Sequence, residues 1–336
     1  MKPVPKLIGT CPPASRSGAD YLKEVAEVAR WADDDGWEAL LVYTDHRMAD
    51  PWLVSQLVLQ ATKTLRPLLA LQPIYAHPFT IAKSISSFAY LYGRQVYLNM
   101  VAGGFPQDLE ALCDTTPHDQ RYDRLVEYAK IIQSLLTNPA LTSFDGHFYK
   151  VKNLRLPVPF PKDLVPAFTV SGSSPAGLAA ARTLGARAIQ YLRPSQDYAG
   201  ATFDPTLSYG TRLGIIVRDD GAEAWRVAHA RFPDAPELRA IRKYAASISD
   251  SVWVKELERE VTVPAGHPYW LGPYRTAKGN SPFLVGDAKT VARELASYMK
   301  LGIGTFLLEP PVDAADSKRI TQVFRDASAL DPPAVG

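Results

Sequence analysis

The chain has 336 residues, of which 46% are hydrophobic and 21% charged, and its formal net charge is only +2. This is the composition of a globular protein, and the length suits two ordinary domains or one large α/β barrel. No stretch concentrates positive charge, so we expect no nucleic-acid partner. No uninterrupted apolar run reaches membrane-spanning length, so we expect no membrane partner. The first ten residues lack the apolar core of a secretory signal, and Cys11 and Cys113 are too few for a disulfide framework. A cytoplasmic location is expected.

One local pattern occurs three times along the chain: an amphipathic helix, then a glycine, then a short apolar run. The three copies are Tyr21–Asp35 with Ala39–Val42, Ala176–Leu184 with Ala188–Leu192, and Thr290–Leu301 with Thr305–Leu308. A glycine suits the left-handed residue that ends a helix, and apolar runs without alternation are typical of strands covered on both faces. The repeat therefore predicts a parallel sheet with right-handed crossovers.

Further apolar runs bring the number of predicted strands to eight. The other five are Lys6–Gly9, Pro67–Leu71, Gln95–Val101, Phe168–Ser171 and Arg212–Arg218. Helices are predicted after the third and fourth strands, over Phe79–Leu91 and Tyr122–Leu136. Eight strands that alternate with helices favour a closed (β/α)₈ barrel, the TIM barrel, over an open doubly wound sheet. We expect one domain over residues 1–336.

Two insertions interrupt this alternation, one after the fourth strand and one after the seventh. Within the first, Phe144–Tyr149 has an Asp-Gly pair between aromatic residues, which predicts a hairpin. The second, residues 219–285, contains helix-like segments at Gly221–Phe232 and Leu238–Ile248 and a Gly/Pro-rich tract, Pro264–Pro282. Long insertions on the face where barrel active sites open often form lids, so we expect a mobile lid in this tract. A solvated excursion without a role is the alternative.

The clearest chemical signal is the run Ser171-Gly-Ser-Ser-Pro175, between a predicted strand and a predicted helix. Gly172 lets a ligand approach the backbone, and the hydroxyls of Ser173 and Ser174 beside free helix amides suit a phosphate. A serine that only caps the helix is an equally good interpretation. The sequence has no Walker loop, no His-Glu-x-x-His motif, no nucleophile elbow and no histidines at metal spacing, so no metal site is expected.

Two weaker patterns lie earlier in the chain. His118 and Tyr122 stand four residues apart where a helix begins, so they would share one face of that helix. A capping segment with a core tyrosine is the alternative. Asn99 and Ala102 belong to the polar, glycine-rich run Asn99–Gly104 at the end of the fourth strand, where barrel enzymes contact ligands. A hydrogen-bonded loop amide would explain Asn99 equally well.

These motifs, together with Phe144–Tyr149 and Leu284–Asp287, resemble in order and spacing the alkanesulfonate monooxygenase branch of the bacterial luciferase-like flavin enzymes. The resemblance covers residues 5–330. It implies a barrel that binds reduced FMN, uses O₂ as co-substrate and oxygenates a small organic molecule. It also implies a separate NAD(P)H:FMN reductase as partner and a homodimer or homotetramer.

Carried over by position, the resemblance also implies which residues contact the cofactor. The predicted cofactor-binding residues lie at the ends of the third, fourth and fifth strands or begin the next helix. Gln72, His118, Tyr122, Ser173 and Ser174 are carried over from the family, and Asn99, Ala102 and Gly172 come from the strand-end patterns described above. Ser173 and Ser174 match phosphate contacts, and Gln72 matches a position that faces the flavin ring. Arg212 matches the active-site arginine of the family.

The substrate groups of the sulfonate branch are replaced in this chain. A histidine two residues after the arginine is Gly214 here, and a run that contains Tyr and His after the last strand is replaced by Glu309–Asp313. A cysteine in the loop after the second strand is replaced around Arg47–Met48. The sulfonate substrate is therefore not transferred, and Gly214 is expected to open the pocket for a bulkier molecule.

His46 and Arg47, with Arg212, are the candidate catalytic residues, and Arg275 and Glu309 are the candidate substrate-binding residues. A buried Arg212 would need either a carboxylate such as Glu309 or an anionic ligand. Surface salt bridges would account equally for His46 and Arg47, and a solvated loop would account for Arg275. Two other functions stay open: an F420-dependent oxidoreductase on the same barrel, and a flavin-binding protein without catalysis.

Overall fold

Eight parallel strands form a closed barrel in the computed structural model, which describes residues 5–13, 17–103, 106–157, 159–247, 251–259 and 261–330. Within these residues the barrel strands are β1 (Lys6–Thr10), β2 (Ala39–Val42), β3 (Arg66–Leu71), β4 (Tyr97–Val101), β7 (Phe168–Ser171), β8 (Arg187–Gln190), β9 (Tyr209–Arg218) and β12 (Ile303–Leu308). The barrel closes where β8 pairs with β9 and where β12 pairs with β1. The predicted TIM barrel is confirmed.

The helices lie outside the barrel or above its rim. In the described part of the chain they are α1 (Gly18–Asp34), α2 (Pro51–Ala61), α3 (Pro78–Tyr92), α4 (Pro106–Ala111), α5 (His118–Thr137), α6 (Pro175–Leu184), α7 (Gly221–Arg231), α8 (Pro236–Ser247), α9 (Val252–Glu258), α10 (Gly272–Arg275), α11 (Ala288–Lys300) and α12 (Ala314–Ala329). Side-chain caps begin several of them, as when Ser17 accepts from the amide of Asp20. Gly185 ends α6 with φ at 60°, as the repeated helix–glycine–strand pattern predicts. None of the described helices has the length and apolar character needed to cross a bilayer.

The core has two layers, one inside the barrel and one between the barrel and its helices. The inner layer consists of small and branched side chains with one tyrosine: Ile8, Ala39, Leu41, Leu68, Ala70, Tyr97, Ile189 and Leu307. The outer layer is the larger apolar cluster beneath the helices. Each strand is therefore buried on both faces, which is why the apolar runs in the sequence lack alternation.

The first insertion is a hairpin of β5 (Thr142–Asp145) and β6 (Lys150–Leu154), as the Asp-Gly signal predicts. Glu127 of α5 holds its turn, because the carboxylate accepts from the amides of His147, Phe148 and Tyr149 at 2.8–3.0 Å. This fixes the hairpin against the helix that begins with His118.

The second insertion contains α7 to α10 and the short strand β10 (Tyr269–Trp270), and it returns to the sheet as a further strand, β11 (Phe283–Asp287). β9 is long enough to pair twice. Its first half pairs with β8 and β12, and from Gly214 onward it pairs in parallel with β11. The sequence prediction missed β11, because its five residues directly follow a Gly/Pro-rich tract. It also began the helix 238–248 two residues late, and Ile248 lies outside the described residues.

Candidate active site

A cavity of about 670 Å³ opens at the rim where the carboxyl ends of the parallel strands meet. Its floor is apolar and is formed by side chains of the barrel interior: Leu41, Ala70, Ile189 and Leu307. Segments of the second insertion, among them residues 251–254 and 277–280, also line it. Small-molecule sites occupy about 300–1,000 Å³, so the cavity has room for a cofactor with a small substrate.

The end of β7 contributes the serine run to the cavity wall. The Ser174 hydroxyl accepts from the amide of Gly177 at 3.1 Å, so this buried serine caps α6. Ser173 also lines the cavity, and its side chain has no hydrogen-bond partner among the described residues. The two interpretations of this run therefore fall on different residues: Ser174 serves the helix, and the hydroxyl of Ser173 is available to a ligand.

The start of α5 packs against the same loop. The rings of His118 and Tyr122 meet edge to face with their centroids 5.4 Å apart, and both residues line the cavity. A Cβ atom at Gly172 would stand 2.2 Å from the Tyr122 hydroxyl, so only glycine permits this approach. The Nδ1 atom of His118 lies 2.7 Å from a carboxylate oxygen of Asp119. The structure thus brings these two separate sequence motifs together.

The ends of β3 and β4 complete this side of the cavity. Gln72, Asn99 and Ala102 are buried residues of its wall. The Oδ1 atom of Asn99 accepts from the hydroxyls of Thr169 at 2.7 Å and Ser171 at 2.9 Å. With that oxygen occupied, the amide nitrogen is the part of Asn99 that a ligand can use. Gly104 of the same motif lies outside the described residues.

A buried ion pair occupies the other side of the rim, where β9 and β12 end. The Nε and Nη2 atoms of Arg212 lie 3.0 and 2.9 Å from Oε1 of Glu309, and the Ser281 hydroxyl donates to the same oxygen at 2.8 Å. Nη2 of Arg212 also donates to the Tyr43 hydroxyl. The carboxylate is therefore the partner that Arg212 needs, so a ligand anion is not required to neutralise it.

The protonation states at this pair follow from its surroundings. Burial opposes the charge of Arg212, but the attraction of Glu309 outweighs it, with help from Tyr43 and Tyr191, and raises the pKa of Arg212 above its usual value. Burial also raises the pKa of Tyr43, against the opposing effect of Arg212. At neutral pH the arginine is charged and the phenol keeps its proton.

Gly214 does not open the pocket, and the expectation that it does is wrong. A Cβ atom at Gly214 would lie 2.2 Å from Cε1 of Phe283, so the ring of Phe283 already fills that space. Phe283 is the first residue of β11, and its register partner is Gly214. The glycine is needed for the second pairing of β9 and not for substrate volume.

Three sequence candidates do not line the cavity as the described residues define it. The Arg47 side chain is 80% exposed and lies 3.7 Å from Asp45, while Nδ1 of His46 lies 3.5 Å from a carboxylate oxygen of Asp108. Arg275 is exposed at the end of α10. These placements match the surface interpretations. Asp45 accepts from the amide of Arg47 at 2.7 Å, and Asp45 and Met48 line the cavity, whereas His46 and Arg47 between them do not.

Sequence reasoning missed further side chains of the wall, among them Tyr43 and the four described next. Tyr191, just after β8, stacks on Trp253 of α9, with centroids 4.3 Å apart and 15° between the planes. Arg231 and Arg242 enter from α7 and α8. The position of Tyr191 after a barrel strand was a usable signal. The other three belong to the insertion, where no repeat or motif indicates which face of a helix turns inward.

Residues 7–305 match the luciferase-like monooxygenase family. The chain belongs to this family. A relative from Niallia circulans, the 4-(γ-L-glutamylamino)butanoyl-[BtrI acyl-carrier protein] monooxygenase BtrO, is 31% identical over 296 residues, which cover 86% of each chain. As a luciferase-like monooxygenase the chain is an oxidoreductase, and that expectation is confirmed, while the sulfonate branch stays a prediction.

Solved structures of this fold include one with a modified FMN and one of an F420-dependent enzyme. Riboflavin lyase RcaE with modified FMN superposes with a TM-score of 0.70 at 14% identity, covering 97% of this chain and 92% of that one. The F420-dependent tetrahydromethanopterin reductase of Methanopyrus kandleri gives a TM-score of 0.65 at 14% identity, covering 95% and 98%. At these identities the likeness shows the barrel fold and leaves the choice of cofactor to the residues of the site.

Proposed function

We propose that this luciferase-like enzyme is a two-component FMN-dependent monooxygenase, which receives reduced FMN from a separate NAD(P)H:FMN reductase. O₂ is its co-substrate, and the second substrate is a small organic molecule with a polar or anionic group. The observation that carries the proposal is the division of the cavity. One side presents the Ser173 hydroxyl beside the start of α6, and the other presents the buried Arg212–Glu309 pair over an apolar floor.

The residues on the β7 side fit a flavin phosphate. Ser173 offers an unoccupied hydroxyl and the start of α6 offers the positive end of a helix, while Gly172 lets Tyr122 pack against this loop. His118 and Tyr122 stand beside this loop, where the sugar-alcohol arm of the cofactor would pass. Gln72 and Asn99 line the wall toward which its ring would extend. When bound, the flavin supplies the reaction with O₂.

The protein's own groups on the β9 and β12 side orient the substrate. The Arg212 guanidinium is held by Glu309 and Tyr43, so its direction is fixed before a substrate arrives. Tyr43 keeps its proton and offers a hydroxyl at the cavity wall. The apolar floor excludes water beneath both ligands.

The Gly/Pro-rich tract 264–282 acts as a lid in this proposal. Residues 277–280 line the cavity, while Tyr269, Tyr274 and Ser281 on either side are buried and anchor the tract. Movement is therefore expected in the short stretch between Tyr274 and Ser281. Replacing residues 276–280 by a two-glycine link should raise the hydrogen peroxide released per NAD(P)H oxidised. Unchanged coupling in that variant would contradict the lid.

An F420-dependent oxidoreductase is the second candidate, because the Methanopyrus kandleri reductase shares the barrel and F420 is also phosphorylated. A protein that binds flavin without catalysis is the third. The charged pair within the cavity argues against it, since a buried ion pair is costly to keep where no ligand uses it.

Anaerobic titration with reduced FMN and reduced F420, followed by O₂ and a substrate panel, separates the three candidates. The panel includes short alkanesulfonates, larger carboxylic acids and carrier-protein thioesters, the last because BtrO acts on such an acyl group. Tight binding of reduced FMN and incorporation of ¹⁸O from ¹⁸O₂ support the proposal. Preference for F420 without O₂ uptake contradicts it.

Two further expectations are tested separately. Sedimentation checks the expected homodimer or homotetramer, and limited proteolysis checks the expected single domain over residues 1–336.

A further inference from the structure

Two arginines of the second insertion line the cavity, and neither forms an ion pair with a carboxylate of the described residues. Arg231 ends α7, and its Nη2 atom donates to the carbonyl oxygen of Pro310 at 3.0 Å. No carboxylate oxygen lies within ion-pair distance of Arg231 in the described part of the chain. Burial lowers the pKa of Arg231, and the attraction of Asp316 and Glu309 does not fully offset it. A partly buried cation in this state is stabilised by an added anion.

Arg242 of α8 has even fewer partners. Its guanidinium carbon lies 4.1 Å from the ring centroid of Tyr274, so the planar group is stacked and held in place. The Nε and Nη2 atoms are buried and have no hydrogen-bond partner among the described residues. Stacking on the ring face engages none of the N–H bonds of Nε and Nη2, since these bonds lie in the plane of the group. An arginine that is fixed with free donors is ready for the oxygens of a carboxylate or phosphate.

The charges of the cavity wall favour an anion on this side. Its described cations are Arg212, Arg231, Arg242 and Lys278, and its described carboxylates are Asp45 and Glu309. Glu309 is already taken by Arg212, and Asp45 lies in the loop after β2, where it accepts from a backbone amide. The positive charge that remains is contributed by the insertion.

This positive region is separate from the serine loop. Arg231 is bonded to the residue after Glu309, at the end of β12, whereas Ser173 follows β7. β8 and β9 stand between those two strands around the barrel. The flavin phosphate expected at Ser173 therefore leaves the donors of Arg231 for a second anionic group, and Arg242 enters the cavity from the same insertion.

We propose that Arg231 and Arg242 form an anion subsite that binds a carboxylate or phosphate group of the substrate, away from the carbon that is oxygenated. Lys278 adds a third positive charge at the rim. The inference rests on the proposed function, because it assigns the flavin to the other side of the cavity. With this subsite the expected substrate is a carboxylic acid or a phosphoester, and the second insertion determines which substrates bind.

The test is calorimetric titration of the FMN-loaded protein with glutarate and with inorganic phosphate. Wild type should bind at least one of the two anions, and Arg231→Gln with Arg242→Gln should weaken that binding by about ten- to a hundredfold. Arg242→Lys should retain part of it, since the charge remains. The matched control is Arg239→Gln, an exposed arginine of the same helix paired with Asp234, which should bind like wild type. Absence of anion binding in wild type, or equal binding in the double variant, overturns the proposal.

Comparison of FMN with riboflavin shows which site holds the flavin phosphate. The double arginine variant should keep the wild-type preference for FMN over riboflavin, whereas Ser173→Ala should reduce it. Loss of that preference in the arginine variant means that the arginines hold the flavin, and this also overturns the proposal. If FMN does not bind at all, the proposed function fails, while phosphate titration of the flavin-free protein still tests the arginines. Thermal unfolding of each variant verifies that it folds.

With an acidic substrate found in the panel, the double variant should raise KM at least as strongly as it weakens anion binding and leave kcat within about threefold, because uniform binding is lost. The uncharged amide of the same acid should be turned over equally by both proteins. A fall in kcat for the acid and the amide alike would place these arginines in the chemical step and contradict the assignment as a substrate subsite.

Discussion

The two sides of the cavity are built in different ways. On the β7 side, consecutive residues divide the work: Ser174 caps α6, Ser173 keeps its hydroxyl for a ligand, and Gly172 admits Tyr122. On the β12 side, Arg212 pairs with Glu309, 97 residues further along the chain. A strand end followed by a helix start is visible in a short stretch of sequence. Which carboxylate meets a given arginine depends on strand register and is visible only in the fold.

The strongest test of the β12 side is Arg212→Ala. Removing one member of a buried ion pair leaves the other charge uncompensated, which costs about 3–5 kcal/mol of folding stability. We also expect kcat/KM to fall on the order of 10²–10³, by analogy with the loss of one preorganised charged donor. Flavin affinity should change far less. Denaturant unfolding, steady-state kinetics and flavin titration measure the three effects.

The double variant Arg212→Ala with Glu309→Ala separates the structural effect from the functional one. It removes both charges, so much of the lost stability should return. Activity should not return, since the oriented guanidinium is still absent. An Arg212→Ala enzyme with wild-type kcat/KM would show that the pair is only structural.

The β7 side is tested by comparing its two serines. Ser173→Ala should weaken binding of reduced FMN by about 1–3 kcal/mol, the scale of a hydrogen bond to a charged group, and leave the unfolding free energy nearly unchanged. Ser174→Ala should instead cost about 1 kcal/mol of stability, because it removes the cap of α6. Replacing both serines without a change in flavin affinity would remove the phosphate assignment from this loop.

Much of the barrel could be predicted from the sequence because its signals are local. Doubly buried apolar runs, helix-ending glycines such as Gly185 and the Asp-Gly hairpin each depend on neighbouring residues. β11 could not be predicted, since its place beside β9 depends on the close contact between Gly214 and Phe283, which lie 69 positions apart in the sequence. Arg231 and Arg242 could not be predicted for the same reason, because packing between residues distant in sequence decides which faces of α7 and α8 turn toward the cavity.

Gly214→Ala tests whether the pairing of β9 with β11, which begins at Gly214, supports the β12 side of the cavity. The added methyl group would overlap the ring of Phe283, so we expect a loss of about 1–3 kcal/mol from overpacking. Adding Phe283→Leu should recover part of that loss. If Gly214 instead marked open substrate space, the single variant would be neutral in stability and would alter only substrate preference. Denaturant unfolding and kinetics on the substrate panel distinguish the two outcomes.

The last expected effect depends on pH, and it concerns the helix beside the β7 side. Asp114 lies in the turn before α5 and accepts from Arg124 at 2.6 Å and from the Thr116 hydroxyl at 2.6 Å. Burial opposes its ionisation, but these hydrogen bonds outweigh burial and lower the pKa of Asp114 from 3.8 to about 2. A carboxyl with a depressed pKa contributes stability that is present above pH 3.8 and is lost as the pH falls toward 2.

Asp114→Asn should therefore cost about 1–2 kcal/mol at pH 6, after allowance for solvent screening, and progressively less as the pH falls below 3.8. The loss should also weaken flavin binding slightly at pH 6, because this turn positions the helix that carries His118 and Tyr122. Asp123→Asn, at an exposed position of the same helix, is the matched control. Equal destabilisation by Asp114→Asn at pH 6 and at pH 3 would mean that packing, and not the ionised carboxylate, holds the turn. The stability of the β7 side would then not depend on an ionised side chain. Of the two sides, only the β12 side would depend on an ion pair for its stability.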